Sequence, residues 1–212
     1  SGRLRMVSLS APDHNLLGMV GLDNGFGPTA GEDVVAVISR NANPSKIDAY
    51  LHRTIDYDVE WDPATGDVQS RVVVTLRNDA PSQGLPPLVI GSAVALPPGT
   101  NRTQLAVLTP FRAIGAMVDG EREALASRDD LAGLRRHTLL VDVPPGTERT
   151  VVLDLTGEVE PGPTYRLGWF NQPLLNDDSS QLLIEPVGAV FSDGSEKGRV
   201  EIGDERVARV SV

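Results

Sequence analysis

Thr54-Ile-Asp-Tyr-Asp-Val-Glu-Trp61 alternates apolar and polar side chains without a break. Ile55, Tyr57, Val59 and Trp61 fall on one face, and Thr54, Asp56, Asp58 and Glu60 on the other. A period of two is the signature of a half-buried strand. Asp62-Pro-Ala-Thr-Gly-Asp67 follows with turn chemistry. The chain then returns with Val68, Val72, Val74 and Leu76 on one side and Gln69, Arg71, Thr75 and Arg77 on the other. Folded as a hairpin about that turn, Asp58 comes opposite Arg71 and His52 opposite Arg77, so an acidic outer face meets a basic one.

Downstream, Pro81, Pro86, Pro87, Pro97 and Pro98 make residues 78–98 a loop rather than a central strand. Pro97-Pro-Gly-Thr-Asn-Arg-Thr103 is echoed by Pro144-Pro-Gly-Thr-Glu-Arg-Thr150, and each turn leads into an alternating strand, Leu105 and Val107 in the first, Val151, Leu153 and Leu155 in the second. Leu139, Val141 and Val143 precede the second copy and make it a hairpin. Phe111 to Val118 reads as a further strand, and Glu121 to Arg136 as either a polar strand with a loop or a short helix. Tyr165 to Phe170, Gln181 to Glu185, Arg199 to Ile202 and Arg206 to Val212 complete a series of short strands punctuated by Pro and Gly. This spacing predicts a mainly β protein, an immunoglobulin-like antiparallel β-sandwich over residues 50–212.

Residues 1–49 read differently, as a small α/β segment that closes an upstream domain, with residues 1–2 a tag scar. Leu4, Met6 and Ser8 form a strand pattern, Ser10 with Pro12 and Asp13 starts a short helix, and Asp23 to Glu32 is a glycine-rich loop. Asp33 to Ser39 is a continuous apolar strand whose partners are expected partly outside this chain. The handover lies in Asn41-Ala-Asn-Pro-Ser-Lys-Ile-Asp-Ala-Tyr-Leu51. Asn41 and Asn43 suit turns, Pro44 breaks the strand, and Lys46 with Asp48 forms a local ion pair. The same cluster of Asn41, Asn43, Lys46 and Asp48 is a candidate binding loop.

The 212 residues carry a net charge of −10 and no cysteine. That balance excludes a nucleic-acid partner, which needs a basic face, and points to a cationic partner if a charged one. Without cysteine there is no disulfide framework, thiol nucleophile or Cys-ligated zinc. No apolar run is long enough for a membrane span, so direct membrane insertion by this fragment is not expected.

No nucleophile elbow accompanies the three histidines, His14, His52 and His137, which read as structural. Asp56, Asp58 and Glu60, Asp129-Asp130, Asp177-Asp178 and Asp204-Glu205 read as solvated faces and turns rather than a calcium loop or a glycosidase pair. Trp169 and Phe170 are a candidate sugar-stacking pair, set against core use, because Tyr165, Leu167 and Trp169 share one face and Arg166 and Phe170 the other. Asn101-Arg-Thr103 is a glycosylation sequon and reads as part of a turn. No catalytic residue, metal ligand or cofactor is assigned.

Ser10-Ala-Pro-Asp-His-Asn-Leu-Leu17, the strand into Asn41 to Leu51 and Pro97 to Thr103 together resemble the C-terminal part of the actinobacterial domain of unknown function 4012 family. The most specific piece is Asn-x-Asn-x-x-Lys-Ile-Asp-x-Tyr-Leu. The resemblance implies an extracytoplasmic envelope protein, anchored in the membrane through a segment absent from this fragment, with no established activity or cofactor. The reading is a non-catalytic cell-envelope interaction or assembly module, whose partners would be an envelope protein, a polysaccharide or the upstream portion of the same polypeptide. Rival readings are a carbohydrate-active or cell-wall polymer-modifying enzyme, with acids around Asp23, Asp129 or Asp177, and a carbohydrate-binding or adhesive domain.

Overall fold

The computed structural model describes residue 10 and residues 31–91, 96–129, 133–201 and 207–212. The expected strand over residues 4–8, the helix after Ser10, His14, most of the Asp23 to Glu32 loop, and the acids Asp130, Asp204 and Glu205 lie outside the described residues.

The chain is mainly β. In order it forms β1 (Asp33–Asn41), a 3-10 turn (Ile47–Tyr50), β2 (Leu51–Trp61), β3 (Asp67–Asn78), a one-turn helix α1 (Pro87–Ile90), β4 (Asn101–Thr109), β5 (Arg112–Val118), β6 (Glu121–Arg122) and β7 (Ala126–Asp129). β8 (Arg135–Val143), β9 (Thr147–Glu158), β10 (Thr164–Phe170), β11 (Ser179–Pro186), β12 (Gly198–Glu201) and β13 (Val207–Ser211) follow. Among the described residues one sheet has six strands in the order β13-β10-β1-β4-β8-β7, and the other seven in the order β12-β11-β2-β3-β9-β5-β6. The expected sandwich is present. Its sheets, however, are mixed rather than purely antiparallel, because β1 runs parallel to β10 and β2 parallel to β11. Of the two alternatives for residues 121–136, the strand reading holds for β6 and β7.

The hairpin has the register read from its sequence, with Asp58 opposite Arg71 and His52 opposite Arg77. Its ion partners differ. Arg71 reaches across to Asp154 on β9 at 2.7 Å, and His52 and Arg77 both turn to Asp79.

Residues 33–49 correct the expected domain boundary. β1 pairs with β10 on one side and β4 on the other, and Val34 to Val37 are all buried. Their apolar continuity reflects a central position within this sandwich, so the strand's partners lie in this chain.

Parity divides the side chains between an inner and an outer face of each sheet. Inside, Ile55, Tyr57, Val59 and Trp61 of β2 meet Tyr165, Leu167 and Trp169 of β10 in one large core. Trp61 packs on Tyr165 with ring centroids 5.3 Å apart, and Tyr57 on Trp169 at 6.4 Å, both tilted. Gly157 is required by this packing, since a Cβ there would sit 2.2 Å from the ring of the buried Phe111. The two echoed turns open strands in opposite sheets and stack. Gly99, with φ of 81°, lies where a Cβ would be 3.0 Å from Pro145. The buried Asn78 amide donates to the carbonyls of Gly99 (2.8 Å) and Val143 (2.9 Å), joining both turns.

Asp33 is the one carboxyl wholly inside this core among the described residues. Its Oδ2 accepts hydrogen bonds from Tyr165 in its own sheet (2.5 Å) and from Tyr57 in the opposite sheet (2.8 Å), and Tyr57 also lies 3.0 Å from Ser70 Oγ. Oδ1 has no partner among the described residues. Burial raises the carboxyl to about 7, against the opposing pull of the two tyrosine hydroxyls.

The folded protein therefore holds this proton more tightly than the unfolded chain. The contribution to stability is complete below about pH 4 and is lost as the pH rises to about 7. Each unit of difference is worth about 1.4 kcal/mol, so the loss is on the order of 4 kcal/mol at most. Asp33→Asn cannot ionise. Urea unfolding at pH 4.5 and pH 8 is expected to show a fall in wild-type stability that is smaller by about 2 kcal/mol or more in this variant. Parallel pH profiles would refute the assignment.

Candidate functional site

Among the connections that carry the chain from one sheet to the other, residues 42–50 between β1 and β2 and residues 171–178 between β10 and β11 lie at the same end of the sandwich. A buried ionic lock holds the two crossovers together. Arg53 lies on the inner face of β2, where its neighbours Leu51 and Ile55 are buried. Its guanidinium meets Asp178 in a two-pronged pair, Nε donating to Oδ1 at 2.8 Å and Nη2 to Oδ2, with side chains only 1% and 5% exposed. Nη1 donates to Ser39 Oγ at 3.0 Å and to Gln172 Oε1 at 3.2 Å. Gln172 also accepts from Ser39 N–H and donates to Ser39 C=O, extending the edge of β1 like one more strand residue. Asn176 caps the other crossover by donating to the carbonyls of Ala49 and Leu51. Two ions leave water here, a cost that the pair geometry and the extra hydrogen bonds must offset.

The expected binding loop is this first crossover. Asn41 holds it closed, its amide donating to Ser45 C=O at 2.9 Å and its Oδ1 accepting from Asn43 N–H at 2.8 Å, which is the turn role read from the sequence. Asn43 is buried, and neither of its amide atoms has a partner among the described residues. Asp48 accepts from Asn101 Nδ2 at 3.0 Å instead of pairing in contact with Lys46. Burial raises the Asp48 carboxyl, while hydrogen bonds from Asn101 and Asn41 and the more distant charge of Lys46 lower it. Asn101 also accepts from Thr103 Oγ1 and is fully buried, so the sequon amide is committed inside the fold.

Trp169 is 2% exposed, packs against Tyr57 and donates to Asn171 at 2.7 Å. It offers no face to a sugar. Phe170 is half-buried on the opposite side of β10, against a small apolar cluster of Val34, Ala36, Leu108 and Leu134. The proposed stacking pair is thus split by strand parity. His137 is buried, its Nε2 2.9 Å from Phe111 C=O and its Nδ1 2.9 Å from Ser127 Oγ. A carbonyl can only accept, so Nε2 carries the proton and Nδ1 accepts from Ser127. Burial lowers its pKa, which keeps it neutral.

The outer face of the seven-stranded sheet forms an open groove of about 800 Å³. Asp58, Glu60, Glu123, Asp154 and Glu185 line it, against the cations Arg71, Arg122 and Lys197. Arg71 is paired with Asp154, and Lys197 with Glu185 at 2.6 Å. Ile114, 57% exposed, stands at its apolar edge. Among the described residues no cluster of three His, Asp or Glu could hold a metal ion, and no helix is long and apolar enough to cross a membrane.

Sequence reasoning passed over Arg53, Gln172 and Asp33. Arg53 had a signal, since a charged residue in phase with Leu51, Ile55 and Tyr57 requires a buried counter-ion. Gln172 had none.

The fold and site define a mixed two-sheet sandwich with a buried ionic lock at a double crossover and a charged groove on one outer face. No protein-family model and no curated protein matches the chain. Among solved structures it is similar to a putative nutrient binding protein from Legionella pneumophila (9% identity, TM-score 0.48, 83% of this chain and 71% of that one). It is also similar to yeast LTA4 hydrolase in complex with bestatin (9% identity, TM-score 0.46, 81% of this chain and 30% of that one). A third similarity is to an M1 zinc metallopeptidase from Deinococcus radiodurans (10% identity, TM-score 0.27, 76% and 38%). The chain spans less than half the length of the yeast hydrolase chain and of the metallopeptidase chain.

Two outcomes are expected from urea unfolding. Arg53→Met alone strands a buried carboxylate and costs about 3–5 kcal/mol, and the double change Arg53→Met with Asp178→Leu recovers much of it. An additive double-mutant cycle would refute the coupling. Asp48→Ala costs about 1–2 kcal/mol through the lost Asn101 contact, whereas Lys46→Ala stays within about 0.5 kcal/mol.

Proposed function

We propose that the chain is a non-catalytic, extracytoplasmic interaction or assembly module of the cell envelope that meets its partner through the outer groove of the seven-stranded sheet. The observation that carries this reading is the composition of that groove: five carboxylates against three cations on an open sheet surface. A sheet face of this kind suits a broad, polar, hydrated contact, since orientation comes from several surface charges and no enclosed space selects one small molecule. Its excess of carboxylates, in a chain of net charge −10, favours a partner bearing amino groups or many hydroxyls. The envelope location rests on the resemblance to the domain of unknown function 4012 family.

The non-catalytic assignment is supported by how the nearest chemistry is already used. Asp178 is locked to Arg53, and the His137 ring is held on both nitrogens by Ser127 and Phe111. An enzyme reading would need a different set of acids.

The test is calorimetry with peptidoglycan fragments bearing free amino groups and with neutral envelope polysaccharides, coupled to product analysis. Binding without turnover is expected. Asp58→Lys combined with Glu60→Lys, both on the exposed face, is expected to weaken binding about tenfold or more with an unchanged melting temperature. Turnover that a single carboxylate substitution abolishes would overturn the proposal.

A further inference from the structure

Ser39 and Gln172 meet between the two crossovers in an arrangement that has the parts of an acyl-transfer site. The Gln172 carboxamide lies in the hydrogen-bonding line of β1, its Oε1 accepting from Ser39 N–H at 2.7 Å and its Nε2 donating to Ser39 C=O at 2.8 Å. Strand side chains stand roughly perpendicular to their sheet, so Ser39 Oγ lies to one side of the carboxamide plane, 3.5 Å from Oε1. A nucleophile attacks a carbonyl carbon from that side. Arg53 Nη1 donates to Oγ at 3.0 Å and to Oε1 at 3.2 Å. Oε1 therefore carries two donors, a main-chain N–H and a guanidinium, the kind of pairing that stabilises the anion formed when a carbonyl is attacked. The same guanidinium favours the alkoxide form of Ser39, and its two-pronged pair with Asp178 fixes it in place.

We propose that Ser39 and Gln172 join in an ester cross-link formed by the folded chain itself. Oγ bonds to the side-chain carbonyl carbon of Gln172, the C–N bond breaks, and the nitrogen takes the electron pair of that bond. The hydroxyl proton passes through water, which reaches this half-buried pair, to the nitrogen, which leaves as ammonia. Nothing is oxidised or reduced, and no co-reactant is consumed. Serine is a weak nucleophile without activation, and a primary amide is a poor acyl donor. Two features offset this. The reaction occurs once per molecule, so a rate far below that of an enzyme suffices, and the escape of ammonia makes it irreversible. The fold also holds the reactants together permanently, and well-oriented intramolecular reactions reach effective concentrations on the order of 10⁵ M or more. The product ties β1 to the chain after β10 between positions 133 residues apart, beside the buried Arg53–Asp178 pair. The inference concerns the interior of the crossovers and does not depend on the role assigned to the outer groove.

The test is intact-protein mass spectrometry of the whole chain, incubated folded at neutral pH and then denatured. A mass lower than that of the sequence by one ammonia is expected. Protease digestion is expected to give a peptide pair joined through Ser39 and Gln172 that hydroxylamine separates. Ser39→Ala is expected to keep the full sequence mass, with a thermal melt showing that it is folded. This control matters because Asn24-Gly25 can also lose ammonia, by closing a succinimide, and that loss would persist in Ser39→Ala. The double change Arg53→Met with Asp178→Leu keeps both reactants but removes one donor from Oε1, and is expected to form the link about a hundredfold more slowly. A wild-type chain that keeps its full mass would overturn the proposal. So would a loss of ammonia that survives in Ser39→Ala, or conversion of Gln172 to the free acid with no joined peptides. Link formation at the wild-type rate in the double variant would overturn the role given to Arg53.

Discussion

The Arg53–Asp178 pair is the constraint on which the architecture hangs. Two of the connections at which the chain changes sheet, 42–50 and 171–178, leave the parallel-paired strands β1 and β10 and enter the parallel-paired strands β2 and β11. Parallel pairs cannot be closed by tight hairpins, so their alignment depends on contacts distant in sequence. The guanidinium supplies one such contact, since it joins β2 to the chain before β11 and, through Ser39 and Gln172, to β1 and the chain after β10. Breaking it would leave an uncompensated charge in the interior, which is why the two crossovers stay together.

Asp33 and the aromatic pairs serve the same end in the middle of the sandwich. The two tyrosines that hold Asp33 come from different sheets, and each ring also packs against a tryptophan of the opposite sheet. The arrangement fixes how the sheets face each other, at the expense of a carboxyl that resists ionisation. With the inner faces committed to packing, the outer faces are what the molecule can offer to others.

Much of the fold was legible in local pattern. The alternation of β2 and β3, the turn between them and their register followed from side-chain period and turn chemistry, because those depend on neighbours in sequence. The position of β1 was not legible. Its apolar run was recognised as doubly buried, but a run of that kind carries no record of which strands flank it. The candidate site was legible in part: Asn41 proved a turn former, while Lys46 and Asp48 gave way to Asn101, a residue contributed by a strand 53 positions from Asp48. Trp169 and Phe170, adjacent in sequence, were sent by parity to opposite faces of one sheet.

By itself, then, the sequence determined that this is a cysteine-free, acidic, mainly β protein and which face of each strand of the central hairpin turns inward. Those properties follow from composition and from a two-residue period that any strand obeys. Only the tertiary structure decided that the sheets are mixed, that Arg53 finds Asp178, and that five carboxylates and three cations share one outer groove. The physical reason is the same in each case. Pairings between distant segments are selected by the summed burial and hydrogen bonding of the whole sandwich, and no single stretch of chain contains that sum.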